Sequence, residues 1–299
     1  MSLSRLTHVF TPASLALLVG TLACGSSDPT GSGGAGRLAF TTWGEAYIED
    51  RIPPDPGDGS GFIDGWSVRY DTFLVNFQNI VVADIRGEMA GTLQSSKLFD
   101  NTLAGVKPIV EFDALPAQAW ERVSYEIAPV TATTALAEGV TEEQKAMMIA
   151  GGYSLYVAGT ATRADAGEKR FAWGFAIGTR YDECHSEQDG RDEAGVVVTN
   201  NSSVEAQLTT HGDHLFYDRL QASPDPAVPT SLRFDALAAA DANDDGEVTL
   251  EELNERVLDV RSYDPSGLGA VTHGAFVTSL ARTVGHFRGE GECTISGLL

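Results

Sequence analysis

The chain has 299 residues, 42% of them apolar, and carries 42 acidic against 20 basic side chains, a formal charge of −22. That length buries a full core. That charge balance excludes nucleic acid and anionic lipid surfaces as partners, because neither finds enough cations to replace its counterions. Such acidity suits a soluble, calcium-rich or extracytoplasmic setting, although solubility alone would also account for it.

In chain order, the first two dozen residues read as an address. Arg5 precedes the apolar run 13–23, which is too short to span a bilayer and has the form of a secretory signal. The run stops at Ala23-Cys24-Gly25, which resembles the lipobox of bacterial lipoproteins. In that family the Cys becomes the lipidated first residue of the mature protein. Thr21 stands where the family prefers Leu, and Leu22 displaces the usual small residue, so ordinary signal cleavage is the alternative. The resemblance implies a signal peptide over 1–23, lipid on Cys24 and anchorage to a membrane of the cell envelope. It implies the periplasm or outer membrane, with the cell surface as a further destination. Residues 24–36, rich in Gly and Ser, then form a flexible tether.

β-type signals dominate from 37 to 228. The segments 38–48, 66–85, 109–112, 123–130, 153–162, 170–179 and 196–208 are rich in Val, Tyr, Phe, Trp and Thr. Turn clusters at 53–59, 186–192 and 223–229 separate them. This pattern predicts an antiparallel, sandwich-like or barrel-like body. One helix interrupts it: Thr141-Glu-Glu-Gln144 is a capping box, Met147, Met148 and Ala150 supply an apolar side, and Gly151-Gly152 ends it. From 229 the period becomes helical, with Leu232, Ala236, Leu237 and Ala240, then Leu253, Val257 and Leu258. A last helix is expected over 271–287, with Phe276, Leu280 and Val284 on one side. The fold class is therefore α+β: a β-sandwich-like body over 37–228 followed by a small helical subdomain over 229–299.

Between two of those helical runs lies Asp241-Ala-Asn243-Asp-Asp245-Gly246-Glu247-Val248-Thr249-Leu-Glu-Glu252. Oxygen-bearing side chains fall at loop positions 1, 3 and 5, Gly at position 6 where φ must be positive, and Glu at position 12. The segment, about 230–260, resembles the EF-hand calcium-binding family. The resemblance implies side-chain oxygens from Asp241, Asn243 and Asp245, the backbone carbonyl of Glu247, a water-mediated contact at Thr249 and two oxygens from Glu252. It also implies that Leu237 and Ala240 pack the entering helix, that Leu253 and Val257 pack the exiting one, and that Val248 pairs with a sister loop. The nearest partner, 264–275, lacks a ligand at position 5 (Leu268) and the closing acid at position 12 (Ala275), so it is at best a non-binding mimic. A single hand does not open as a sensor pair does. A structural calcium clamp with affinity of about 10⁻⁴–10⁻³ M is the expectation.

Of three cysteines, Cys184 and Cys293 remain once Cys24 carries lipid, and in an oxidising compartment such a pair is expected as a disulfide. A redox or metal thiol is the alternative, although no CxxC exists. His211-Gly-Asp213-His214 offers a second metal reading, a periplasmic copper or zinc site. On a strand His214 points away from the other two, so convergence requires a bend. A strand-to-loop corner satisfying backbone groups is the plainer alternative. A working site of this kind is expected to weaken below about pH 6. The acidic loop 55–64 is expected as a solvated turn. No nucleophile elbow, phosphate loop, dinucleotide fingerprint or HExxH is present, so no catalytic residue, enzyme activity or organic cofactor is expected. The sequence reads as a calcium-binding exported lipoprotein, with transition-metal binding as the alternative and no protein or surface partner assigned.

Overall fold

Strand Ser67–Ala83 is the axis of the molecule. A computed structural model describes residues 33–188, 190–220, 230–266 and 268–297. Cys24, the 1–23 signal and most of the 24–36 tether therefore lie outside the described residues. The long strand pairs antiparallel with Leu155–Arg163 over its first half and with Arg122–Ile127 over its second. Register shifts fall between Tyr70 and Thr72 in the first pairing and between Gln78 and Val81 in the second, where bulges bend the strand and strengthen its twist.

Around this axis a ten-stranded sheet runs Glu247–Thr249, Gly167–Phe175, Leu155–Arg163, Ser67–Ala83, Arg122–Ile127, Thr179–Asp182 and Thr294–Gly297, with three short strands beside its centre. A second sheet has the order Gly285–Phe287, Ser203–Thr210, Ala35–Trp43, Lys107–Pro116. Leu38, Phe40, Ala206 and Leu208 of the smaller sheet share one buried cluster with Phe73, Val75, Phe77 and Val157 of the larger. Strands hold 46% of the residues and helices 15%, so the β-rich character expected from composition is what the chain adopts. No helix among the described residues is long and apolar enough to cross a membrane.

The helix Glu142–Gly151 begins and ends on the expected residues. Thr141 and Gln144 exchange side-chain and backbone bonds in a full capping box, and Gly152 takes φ +64°. Two other segments depart from expectation. The 38–48 strand stops at Trp43, because Gly44 passes so close to the Asn101 carbonyl that a Cβ would lie 2.1 Å from it, and a short helix, Glu45–Glu49, follows. The helix expected over 271–287 covers only His273–Leu280. Beyond it Gly285–Phe287 pairs with Thr210–Leu208, and a Cβ on Gly285 would meet the Tyr125 and Tyr181 side chains at 2.8 Å. Tertiary pairing, not helical period, decides that segment.

The C-terminal region is woven into the body. Glu247–Thr249, Gly285–Phe287 and Thr294–Gly297 are strands of the two main sheets, and Leu237, Val248, Leu253 and Val277 belong to the shared core. Residues 33–299 form one compact unit. Val248 pairs in parallel with Phe171 of the body rather than with a sister loop, and Trp173 Nε1 donates to its carbonyl at 2.8 Å. Val257 does not pack an exiting helix. That helix ends at Glu255, Arg256 is extended, and Val257 is 75% exposed. Cys184 and Cys293 form a disulfide across 109 residues.

Candidate metal centre

Three strands of the smaller sheet deliver side chains to one edge. Ala35–Trp43 and Ser203–Thr210 run parallel with Trp43 opposite Thr209, so the chain leaves both strands at the same end. One exit leads to Gly44-Glu45, the other to His211-Gly212. On the far side Gly285–Phe287 pairs antiparallel with His286 opposite Thr209. The chain after His211 then turns sharply into the 3₁₀ helix Asp213–Phe216, which brings His214 back to the same edge. Gly212 permits that turn. The Tyr70 hydroxyl donates to its carbonyl at 2.6 Å, and a Cβ there would sit 2.7 Å from Ile48 and from Tyr70.

The outcome is a cluster of three buried imidazoles. Ring centroids are 4.2 Å apart for His211 and His286, 4.9 Å for His214 and His286, and 5.4 Å for His211 and His214. One donor atom from each lies within 4.8 Å of the others. The tautomer of His214 follows from its partner. The Thr283 hydroxyl gives its proton to the Leu280 carbonyl at 2.8 Å, so its 2.9 Å contact with His214 is accepted from Nδ1–H, and Nε2 keeps a bare lone pair. His211 Nε2 and His286 Nδ1 are shut off from solvent and have no hydrogen-bond partner among the described residues. An ion ligated by imidazole sits about 2.0–2.1 Å from each nitrogen.

Carboxylates surround the imidazoles. Glu45 Oε1 lies 3.4 Å from His211 Nε2, outside hydrogen-bond geometry, and Glu290 Oε2 lies 4.0 Å from Nδ1 of the same ring. Asp213 Oδ2 accepts from the Tyr217 hydroxyl at 3.0 Å, and Oδ1 is without a partner among the described residues. Burial, then the neighbouring His211, pulls His286 down to about 3. Burial also holds His214 well below the ordinary imidazole value, with His286 and His211 adding to it. Burial raises the carboxyls of Glu45 and Asp213, against the lowering influence of His211. A divalent cation here would meet two imidazoles that are already neutral and would pull both carboxyls back down. For His214 and His286 the proton competition expected near pH 6 is displaced to far lower pH.

The chain matches no protein-family model, no curated protein and no solved structure. The functional reading therefore rests on geometry.

Of the residues singled out in the sequence, His211 and His214 do converge, because the 3₁₀ turn supplies the necessary bend. Asp213 stands behind them, committed to Tyr217. His286, Glu45 and Glu290 join from segments that sequence reasoning passed over. His286 was hidden in an expected helix, and Gly285 after Thr283-Val284 was the signal that the helix had already ended. Glu45 sat inside an expected strand and has φ +52°, a left-handed backbone that no periodicity reveals.

The 241–252 loop forms a separate constellation. Gly246 has φ +82° and Asp244 φ +57°. Asp241 accepts from the Asp245 and Gly246 amides at 3.2 and 2.9 Å, Asn243 from Asp245 at 2.9 Å, and Asp245 from Glu247 at 2.8 Å. Glu252 folds back to accept from the Thr249 amide at 2.9 Å and the Ala242 amide at 3.3 Å. Lys169 Nζ lies 2.5 Å from Asp241 Oδ2 and, with the Gly246 amide, holds that carboxyl below the usual carboxylate range. Asp241 Oδ2 takes both the Lys169 ammonium and the Gly246 amide, and Glu252 Oε2 takes the Thr249 amide and hydroxyl, so the hard-oxygen donors of the loop are partly engaged from within the chain. The 55–64 segment is a turn in which Asp55 Oδ1 accepts from the amides of Gly57, Asp58 and Gly59.

Proposed function

We propose that this chain is an exported, envelope-anchored protein that holds a copper or zinc ion at His211, His214 and His286. The observation that carries the reading is the meeting of three buried imidazoles, two with nitrogens that nothing else satisfies. Buried polar atoms normally find partners, and each orphan costs about 1–3 kcal/mol. Imidazole suits zinc and copper, and three such ligands leave a fourth position to a carboxylate or water. The donor nitrogens of His211 and His286 are closed to solvent, which favours holding or carrying the ion over turning a substrate. The apolar run before Cys24 and the Cys184–Cys293 bridge support an oxidising, extracytoplasmic setting.

Titration calorimetry with Cu²⁺ and Zn²⁺ should give one tight ion per chain. His286→Ala should weaken it more than about 100-fold, as loss of a direct ligand outweighs the loss of an outer partner. Wild-type affinity in that variant would reject the assignment.

A second ion has its own support. The amides turned onto Asp241, Asn243 and Asp245, with Gly246 at positive φ, favour calcium in the 241–252 loop as a structural clamp, with Glu252 closing its shell. In this reading the two main sheets are the faces of a sandwich to which an EF-hand is sutured through Val248. Calcium should raise the melting temperature of the wild type and leave that of Glu252→Gln unchanged.

A further inference from the structure

His211 belongs to two groupings. Besides its place with His214 and His286, it forms a second set with Glu45 and Glu290, again with one donor atom from each within 4.8 Å of the others. The two carboxylates approach opposite nitrogens of its ring, 3.4 Å from Nε2 and 4.0 Å from Nδ1. The side chains grade from solvent inward: Glu290 is 84% exposed, Glu45 24% and His211 6%. His214 and His286 lie at the buried end.

The backbone holds this outer set in place. Glu45 is fixed at φ +52° directly after Gly44, whose approach to the Asn101 carbonyl leaves no room for a side chain. Glu290 stands in a tight turn closed by Phe287 N–H to the Gly291 carbonyl at 2.9 Å. The same turn is tied to the sheet by Thr209 Oγ1 donating to the Gly289 carbonyl at 2.8 Å, and to the separate hairpin strand Arg191–Ala194 by Arg288 to Glu193 at 2.6 Å. Neither Glu45 nor Glu290 makes a hydrogen bond or ion pair with a described Lys or Arg that would neutralise it. His211 Nε2 faces Glu45 without a partner in a side chain more than nine-tenths buried.

We propose that Glu45, His211 and Glu290 form an outer station that captures a divalent transition-metal ion and passes it to the three-histidine centre, with His211 as the ligand common to both. The inference rests on the three-histidine reading and adds the route by which that centre is loaded. Carboxylates at the mouth attract a hydrated cation and exchange its waters readily. The imidazoles inside bind it more tightly because copper and zinc prefer nitrogen donors. A shared ligand lets the ion move inward without returning to bulk water.

Stopped-flow mixing with Cu²⁺ tests this, read by quenching of intrinsic fluorescence, since the Tyr217 ring lies 4.5 Å from that of His214. The Glu45→Gln/Glu290→Gln double variant should load at least about 10-fold more slowly, with equilibrium affinity changed far less. His286→Ala should show the converse, a near-normal association rate and a much faster release. Glu142→Gln/Glu143→Gln, on the exposed first turn of a helix outside the centre, controls for the general charge of the molecule and should load at the wild-type rate. Glu290→Gln alone covers the case in which the double variant does not fold. If the Glu45/Glu290 variants load at the wild-type rate while the wild type binds copper, the outer station is overturned and the inner centre stands. If the wild type binds neither Cu²⁺ nor Zn²⁺, the inner reading falls and this inference falls with it.

Discussion

At the residue scale, His286 carries the largest consequence. Its ring lies near both His211 and His214, with the Glu45, Asp213, Glu290 and Glu292 carboxylates and the Tyr217 phenol among the titratable groups around the cluster. In the unfolded chain it takes up a proton near its ordinary 6.5, but in the folded protein only near 3. Between those values the unfolded state binds more protons, so the stability of the metal-free protein falls as pH drops through that window. For this one group the slope is at most about 1.4 kcal/mol per pH unit. Melting temperatures of metal-free wild type and His286→Gln at pH 7, 6, 5 and 4 should diverge, the variant losing less on acidification. Parallel slopes would show that the imidazole is not held neutral by burial.

At the element scale, the decisive feature is the three-residue strand Glu247–Thr249. It lies inside the 241–252 loop and is also a strand of the large sheet, registered on Arg170, Phe171 and Ala172. In the proposed EF-hand reading a sister hand would occupy that place. Here a body strand does, and Lys169, one residue before that register, reaches Asp241. Loop and sheet therefore cannot loosen independently. The calcium-dependent rise in melting temperature should appear as displacement of a single calorimetric transition. At calcium near 100 times its Kd, the gain should be about 2.7 kcal/mol by mass action. A separate low-temperature transition that alone responds to calcium would show that the loop is a detachable module.

At the scale of the whole molecule, the Cys184–Cys293 bridge closes 109 residues and sits just beyond the turn that bears Glu290. His185 N–H to the Glu292 carbonyl at 2.9 Å reinforces the same junction. Chain entropy alone assigns a loop of this length about 4.7 kcal/mol. Cys184→Ser/Cys293→Ser should melt on the order of 10 °C lower and should bind copper more weakly, because the strand carrying His286 and the turn carrying Glu290 lose their tie. A variant that melts lower but binds copper as wild type would separate the staple from the site.

Much of this molecule was legible in the chain because the relevant physics is local. Alternation of apolar side chains marks strands, so 66–85 and 153–162 stand close to Ser67–Ala83 and Leu155–Arg163. A capping box satisfies amides within one turn, so Thr141 and Gln144 start their helix as spelled. Cys184 and Cys293, the pair expected from the cysteine count, do form a bridge. The three-histidine centre was half legible. His211 and His214 lie three residues apart, but His286 is 72 residues further on, in a segment whose helical pattern was overridden by pairing with Thr210–Leu208. Glu45 and Glu290 enter through a left-handed residue and a tight turn whose positions depend on what packs beside them. Sequence by itself determined which short segments have which local structure. Only the tertiary structure decided which distant donors meet, because strand register and burial are properties of the assembled sheets, and no window of the chain contains them.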